Sequence, residues 1–233
     1  MPKETFLNLA EAKRESFLEA ALHEFARNEY RAASVSRIVA KLGIAKGSVY
    51  QYFADKKDLY AYLLELAATR KQAWMVKKQG ASGAAPDFFV RHRNLILASV
   101  DFDLRNPNYS LLMVNAMKES PGTEAGLIVA QTRQLALDFL RALVEEGRSK
   151  GELRDDIDEL LVAQLVNAAS LSVGSYMETK YGFSIVERLG KADASLPFGD
   201  KDLEKAVDDL VELLRHGIHK PADCMTPVPP GFA

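Results

Sequence analysis

Hydrophobic positions recur along this chain at helical spacing, and no alternating run typical of a half-buried strand is present. In the segment 11–28, Leu18, Leu22 and Phe25 fall on one helical face, whereas Glu15 and Glu19 fall on another. The same spacing predicts helices over residues 35–42, 46–53, 56–79, 87–104, 111–117, 124–148, 160–177 and 203–214. We therefore predict an all-α fold.

Glycine and proline mark where the predicted helices are interrupted. Segment 80–87 holds two glycines and Pro86, so we expect a loop that separates two parts of the chain. Gly147 and Gly151 stand where the helix 124–148 should end. Segment 181–200 is predicted to be irregular. Four prolines in the tail 221–233 prevent a helix there, and we expect that tail to be mobile.

The composition excludes several classes of protein. Of the 233 residues, 48% are hydrophobic and 27% are charged, so the chain can bury a core and is not disordered overall. The one cysteine, Cys224, cannot form an intrachain disulfide, which favours a reducing, cytoplasmic location.

Neither a leader nor a membrane span is predicted. Charged residues interrupt the segment 1–15, so we do not expect a signal peptide. The longest uncharged run, 160–177, has the length of a membrane span, but Gln164, Asn167 and Ser170 interrupt it. We interpret this run as a buried helix and expect no contact with a membrane.

Positive charge is concentrated in one segment. The net charge of the chain is −2, but residues 27–57 carry seven Lys and Arg against only Glu29 and Asp55. A basic segment on an otherwise acidic protein suits contact with nucleic acid, because neutralising phosphates releases counterions. A solvated protein face is the other interpretation of the same charges.

Two short helices joined by a tight turn lie inside this basic segment. Gly43 permits a sharp turn between helices 35–42 and 46–53, and Ser34 can cap the first of them. This is the geometry of a helix-turn-helix, whose second helix enters the major groove of DNA. Helical spacing places four apolar side chains toward a core, namely Ile38, Val39, Val49 and Phe53, and turns Lys46, Ser48, Gln51 and Tyr52 outward. Gly47 weakens the second helix by about 1 kcal/mol relative to Ala, which makes sense if a phosphate approaches its backbone.

The run 34–59 resembles the DNA-binding region of the tetracycline-repressor (TetR) family of transcriptional regulators. It follows the family pattern at Ser34, Ile38, Gly43, Ile44, Gly47, Ser48, Tyr50, Tyr52, Phe53, Lys56 and Leu59. The resemblance covers residues 11–60, and the rest of the chain agrees in length and helical layout. Leu42 stands where the family often has alanine. Ala45 stands where a serine cap is common, which leaves the recognition helix without that cap.

The resemblance implies two kinds of contact with double-stranded DNA. Phosphate contacts are implied for Ser34, Ser36, Tyr50, Tyr52 and Lys56, and base-edge contacts for Arg37, Lys46, Gly47, Ser48 and Gln51. Gln51 suits adenine, Lys46 suits guanine, and Ser48 is compatible with several bases. The alternative for each is a solvated helix residue, and for Tyr50 a packing anchor.

The resemblance divides the chain into a helix-turn-helix domain, 1–56, and a helical ligand-binding and dimerisation domain, 57–220, followed by the tail 221–233. It implies a homodimer that binds a small-molecule effector. Helix 160–177 is apolar nearly all round, so this helix and the last one from each subunit would form a four-helix interface. The two recognition helices would then lie about 34 Å apart and read a palindrome.

Aromatic, thioether and leucine side chains on the central helices are candidates for a ligand pocket. They are Phe88, Phe89, Phe102, Tyr109, Met113, Met117, Leu135 and Tyr176, and the candidates for its polar end are His92, Arg93, Asn94, Asn115 and Gln131. A pocket of this composition favours a hydrophobic ligand, such as an acyl chain or a lipophilic aromatic molecule. A plain hydrophobic core is the other interpretation.

No catalytic or metal-binding constellation is present in the sequence. The G-x-S-x-G, G-x-x-x-x-G-K and G-x-G-x-x-G motifs are absent, and His216 and His219 have no third ligand at a suitable spacing. We therefore expect neither an enzyme nor a cofactor. The sequence favours a dimeric, ligand-responsive transcriptional repressor. The alternative is a helical protein-interaction adaptor, which leaves the basic segment unexplained.

Overall fold

A computed structural model describes residues 1–79, 87–189 and 195–218 of the chain. Within these ranges the structure is built from helices without a β-strand, which confirms the predicted all-α fold. The helices are α1 (Glu4–Leu7), α2 (Glu11–Arg27), α3 (Val35–Leu42), α4 (Lys46–Tyr52), α5 (Lys56–Gln79), α6 (Phe88–Arg105), α7 (Pro107–Met117), α8 (Glu124–Ser149), α9 (Glu159–Tyr181), α10 (Ile185–Leu189) and α11 (Asp200–Ile218).

Two of these helices are absent from the sequence-based prediction. Helix α1 precedes the first predicted helix, and α10 lies in a segment predicted to be irregular. Both span five residues or fewer, too short to show a helical period in the sequence. Three features of the sequence analysis lie outside the described residues. They are the predicted mobile tail 221–233, the predicted loop 80–87 up to and including Pro86, and His219.

The first hydrophobic core surrounds the short helices. Helices α1 to α4 and the first half of α5, as far as Ala67, pack into it. Later segments close it, because Leu112 and Ala116 of α7 and Ile128 and Val129 of α8 join the same cluster. The packing unit around the helix-turn-helix therefore extends beyond residue 56 and includes parts of the following helices.

The second core lies among α6, the end of α8, α9 and α11. Helix α8 connects the two cores, since its first turns pack into the first and Val144 into the second. The prediction that α8 ends near residue 148, at Gly147 and Gly151, is confirmed to within a residue, because the helix stops at Ser149. The left-handed glycine that follows the helix is Gly151, with φ +71°. Gly147 instead permits close packing, since a Cβ there would lie 3.0 Å from Leu153 and 3.2 Å from Phe88.

Helix α9 is buried on one face only. By length and composition it could cross a membrane, and 33% of its apolar window is buried in the chain. The prediction of a buried helix is therefore wrong for the single chain, because only one face packs on the second core. The buried residues of α9 are Val162, Ala163, Val166, Val173 and Met177. The opposite face exposes large apolar side chains: Leu160, Leu161, Leu165, Leu171 and Tyr176.

Candidate nucleic-acid interface

Helices α3 and α4 form a helix-turn-helix around a left-handed glycine. Gly43 ends α3 with φ +64° and ψ +28°, a conformation that a side chain disfavours. The N–H groups of Gly43 and Ile44 donate to the carbonyls of Ala40 and Val39 at 3.3 and 3.2 Å. The predicted turn is confirmed, and its hydrogen bonds set the angle between the two helices.

The inner faces of the two helices are anchored in the first core. Ile38 and Val39 of α3 are 1% and 7% exposed, and Val49 and Phe53 are 1% and 0% exposed. All four were predicted to be buried, and the prediction is confirmed. Because these inner side chains pack in the first core, the opposite face of α4 points to solvent.

The outer face contains most of the residues predicted to contact DNA. Exposed members of that set are Ser36, Arg37, Lys46, Gly47, Tyr50 and Gln51, and half-buried members are Ser34, Ser48, Tyr52 and Lys56. Arg31, Lys41 and Lys46 are exposed and form no ion pair with any carboxylate in the described part of the chain. The helix-turn-helix segment therefore has exposed cations that no carboxylate neutralises among the described residues.

Lys56 is held by the protein itself. Its ammonium donates to the carbonyls of Tyr30 and Ala33 at 2.8 and 3.2 Å and lies 4.5 Å from the centroid of the Tyr30 ring. These contacts fasten the start of α5 to the turn before α3. A contact from Lys56 to a phosphate would compete with them.

Glu24 organises the start of α3 from the neighbouring helix α2. Its buried carboxylate accepts from the Ser34 N–H at 2.8 Å and from the Arg37 Nε at 2.9 Å. Arg37 also donates to the Ala32 carbonyl at 2.7 Å. Burial raises the pKa of the Glu24 carboxyl, but the hydrogen bonds from Arg37 and Ser34 outweigh burial and lower it, which keeps the group ionised.

The predicted side-chain cap from Ser34 is wrong. Ser34 stands at the cap position of α3, but its hydroxyl makes no capping hydrogen bond. Its backbone N–H is bound by Glu24 instead. The expected lack of a cap at Ala45 is confirmed, since α4 begins without a side-chain hydrogen bond.

A segment that the sequence analysis missed holds the end of α4. The Lys3 ammonium donates to the Tyr50 carbonyl at 2.6 Å, and the Lys3 N–H donates to the Tyr52 carbonyl at 2.8 Å. The Thr5 hydroxyl donates to the Gln51 carbonyl. Three carbonyls that end a seven-residue helix are thus satisfied from the N-terminal segment.

The ring of Phe6 secures this N-terminal segment. Phe6 is completely buried, and its ring centroid lies 5.8 Å from that of Tyr52 and 5.0 Å from that of Phe53. The Tyr52 ring also meets Phe17 edge-on at 5.5 Å. Tyr52 is therefore a packing residue of the first core, and only part of its side chain reaches the surface.

The thirteen candidates for a ligand pocket do not converge on one site. Among the polar candidates, Arg93 pairs with Asp208, Asn115 donates to the Ala26 carbonyl, and Asn94 is half-buried. Phe88, Phe89 and His92 are buried in or beside the second core, Phe102 contacts Tyr109, and Met113 borders the first core. The remaining four are exposed on the surface of the chain, namely Met117, Gln131, Leu135 and Tyr176. Helical spacing shows which residues share one helix face, but it does not show which faces of different helices meet.

His92 is the one of these residues with unusual polar surroundings. It is 3% exposed and stacks on Phe88 with ring centroids 5.9 Å apart. The Ser170 hydroxyl donates to the Val166 carbonyl, so it can only accept from the His92 Nε2 at 3.3 Å. The Nδ1 atom is then a buried acceptor that finds no partner among the described residues, and burial lowers the pKa of His92 to about 4.

A helix-turn-helix with an exposed recognition helix inside a basic segment, carried by a larger helical unit, defines a DNA-binding transcriptional regulator. The family model "Bacterial regulatory proteins, tetR family" matches residues 17–63, which span α2 to the first turns of α5. The solved structure of a TetR family transcriptional regulator from Chloroflexus aurantiacus is 30% identical with a TM-score of 0.68. The match covers 95% of this chain and 100% of that one. The chain belongs to the TetR family of bacterial regulatory proteins.

Two further relatives agree with this assignment. The HTH-type transcriptional repressor AcnR of Corynebacterium jeikeium is 28% identical over 167 residues, which cover 70% of this chain and 80% of AcnR. The transcriptional regulator FadR of Bacillus subtilis shares the fold, with a TM-score of 0.64 at 19% identity over 88% of this chain and 99% of that one. The named relatives are regulators of transcription, not enzymes.

Proposed function

We propose that this chain is a homodimeric transcriptional repressor that reads a palindromic operator and leaves it when a small, hydrophobic effector binds. The observation that carries the proposal is the exposed outer face of α4, which lies in the basic segment. The first core packs against the inner face of this helix, and Lys3 and Thr5 hold its end. Operator binding places the protein in the cytoplasm.

Base reading is assigned to the exposed side chains of α4. Lys46 donates to guanine, Gln51 pairs with adenine, and Ser48 adapts to either. Ser34, Ser36 and Tyr50 contact phosphates on the flanks of the groove. Arg37, Tyr52 and Lys56 act mainly by positioning, because each already has partners within the protein.

The apolar face of α9 supports a homodimer. Leu161, Leu165 and Leu171 are 58%, 48% and 55% exposed in the single chain, and Leu213 of the neighbouring α11 is 74% exposed. Covering these side chains removes apolar area from water, and a two-fold axis would pack α9 and α11 against their copies. The dimer then presents two recognition helices to successive major grooves.

The effector is proposed to bind in the helical unit that follows the helix-turn-helix. The solved structure of FadR from Bacillus subtilis, which shares the fold, contains stearoyl-CoA. Phe102, one of the predicted pocket residues, lines a groove between α5 and α6. Because α5 begins directly after the recognition helix, movement of α5 on binding would change the distance between the two recognition helices.

Selection of the purified protein on randomised duplex DNA at two salt concentrations tests the proposal. We expect recovery of a palindrome, and we expect Lys46→Ala to weaken binding to it about tenfold and to change the preferred base at one position. Lys201→Ala, at an exposed lysine of α11, is the matched control and should change neither. Weak, salt-sensitive binding without sequence preference would contradict the repressor and favour the adaptor.

Gly47→Ala should have opposite effects on stability and on DNA binding. A Cβ at Gly47 meets no atom within 4 Å, so alanine should stabilise the protein by up to about 1 kcal/mol through helix propensity. The added methyl group stands on the exposed face and should lower DNA affinity about tenfold by keeping a phosphate from the backbone. Urea unfolding and DNA titration measure the two effects. Unchanged DNA affinity would remove Gly47 from the interface.

A further inference from the structure

A groove on the outer side of the helical unit combines two cations with two aromatic rings. It has a volume of about 310 Å³ and lies between the second half of α5 and the end of α6. Its lining consists of Arg70, Ala73, Trp74, Lys77, Phe102 and Asn106. The four residues from α5 follow the spacing of one helix face, so the cations and the indole ring face the same space.

The two cations of the groove are available to an anion. In the described part of the chain Lys77 is exposed and forms no ion pair. Arg70 has one carboxylate contact, to Glu15 of α2 at 3.3 Å, with the two side chains 41% and 50% exposed. An ion pair exposed to that degree is weak and is readily exchanged for another carboxylate.

The carboxylates nearest the groove are already neutralised. Asp101 accepts from Lys78 at 3.3 Å and from Arg105 at 2.6 Å, and Asp103 accepts from Lys71 at 2.7 Å. The positive charges of Arg70 and Lys77 are therefore not balanced by an equal number of free carboxylates in the described part of the groove's surroundings. An anionic ligand would meet attraction there.

The apolar wall of the groove is formed by two aromatic rings that are inclined to each other. The rings of Trp74 and Phe102 meet edge-on with centroids 6.3 Å apart, and Phe102 is 2% exposed. The Trp74 indole N–H donates to Asp101 at 3.1 Å, which fixes the orientation of the ring. An aromatic ring that stacks on Trp74 fits such a wall better than a long flexible chain, and a groove of this size suits a small molecule.

We propose that this groove binds a small aromatic carboxylate, with its carboxylate on Arg70 and Lys77 and its ring against Trp74, which is backed by the buried Phe102. The proposal rests on the proposed function, because it names the chemical class of the effector. A guanidinium can pair with a carboxylate through two parallel hydrogen bonds. Arg70 makes only one hydrogen bond to Glu15, so the pair with Glu15 does not use this two-bond geometry.

Binding would also act on the DNA-binding unit. Glu15 is an exposed residue of α2, whose buried face packs in the first core with the helix-turn-helix, whereas Arg70 lies beyond that core on α5. A ligand carboxylate that binds Arg70 breaks the Arg70–Glu15 ion pair. One contact between α2 and the second half of α5 is then lost. Ligand and Glu15 thus compete for the same guanidinium.

Titration with 2-naphthoate, followed by NMR of the tryptophan indole N–H, tests this site. Trp74 is the only tryptophan of the chain, so its one indole resonance reports on the groove alone. We expect a saturable shift with 2-naphthoate and at least about tenfold weaker binding of the neutral 2-naphthalenemethanol, the difference expected for one charge-assisted contact. Arg70→Gln should weaken naphthoate binding about tenfold, and Glu15→Gln should strengthen it by removing the competitor.

The controls separate this proposal from the repressor function. Lys118→Gln, at an exposed lysine outside the groove, should leave naphthoate binding unchanged. Equal affinity for the acid and the alcohol, or unchanged binding by Arg70→Gln, would overturn the site. Saturating 2-naphthoate should lower affinity for the selected DNA several-fold, and unchanged affinity would overturn its assignment as the effector site. Failure of the ligand-free protein to select any DNA would instead contradict the proposed function.

Discussion

Leu165→Glu is expected to leave the protein monomeric and to weaken binding to its palindromic operator about 1,000-fold. Leu165 is 48% exposed at the centre of the apolar face of α9, between Leu161 and Leu171. A buried carboxylate without a partner in a two-fold interface opposes association twice, because symmetry places a second one in the other subunit. A monomer reads one half-site, and the expected loss is of the size that separates specific from non-specific binding.

Sedimentation velocity and DNA titration on the same samples measure both effects. Leu104→Glu makes the same chemical change at a leucine of α6 that is 43% exposed, and it should preserve both the dimer and DNA affinity. Circular dichroism should show unchanged helix content in both variants, since neither side chain belongs to a buried core. A Leu165→Glu protein that remains dimeric would place the dimer interface elsewhere.

The stability of the protein is expected to fall by about 3 kcal/mol between pH 6.5 and pH 4 because of His92 alone. Burial lowers the pKa of His92 from 6.5 to about 4, so in this range the unfolded chain binds a proton that the folded chain excludes. The contribution of His92 is therefore constant above pH 6.5, decreases as the pH falls through the window, and is constant again below pH 4.

His92→Phe should remove most of this dependence while keeping the stacking contact with Phe88. Urea unfolding at pH 7.0 and pH 4.5 gives the comparison, and the variant should lose markedly less stability than the natural protein on acidification. His23, whose pKa is lowered by burial and by Arg27, titrates in the same window but is only partly buried. His23→Gln is therefore the control and should change the pH dependence much less. Equal slopes for the natural protein and His92→Phe would show that His92 is not buried as a neutral group.

The helix-turn-helix could be predicted from the sequence because its determinants are local. The positions of Ile38, Val39, Val49 and Phe53 follow from helical spacing, and a left-handed turn between two short helices requires a residue such as Gly43. These signals lie within 16 consecutive residues and do not depend on where the rest of the chain packs.

The partners of the charged residues could not be predicted in the same way. Lys56 and Arg37 have the residue types of a DNA-binding surface, but Lys56 is bound by carbonyls 23 to 26 positions away and Arg37 by Glu24, 13 positions away. The contacts of Lys3 and Thr5 with the end of α4 span 46 to 47 positions. Spacing along one helix contains no information about such distant pairs.

The two halves of the chain differ in how much of their structure the sequence determines by itself. The longer helices, the all-α class, the turn at Gly43 and the family follow from local periodicity and from a run of specific residues, so the amino-acid order is sufficient for them. The ligand site is not local, because Arg70 and Phe102 meet across two helices while Leu135 and Tyr176 turn away from the interior. Which helix faces meet depends on how all the side chains pack at once, and that packing exists only in the folded molecule.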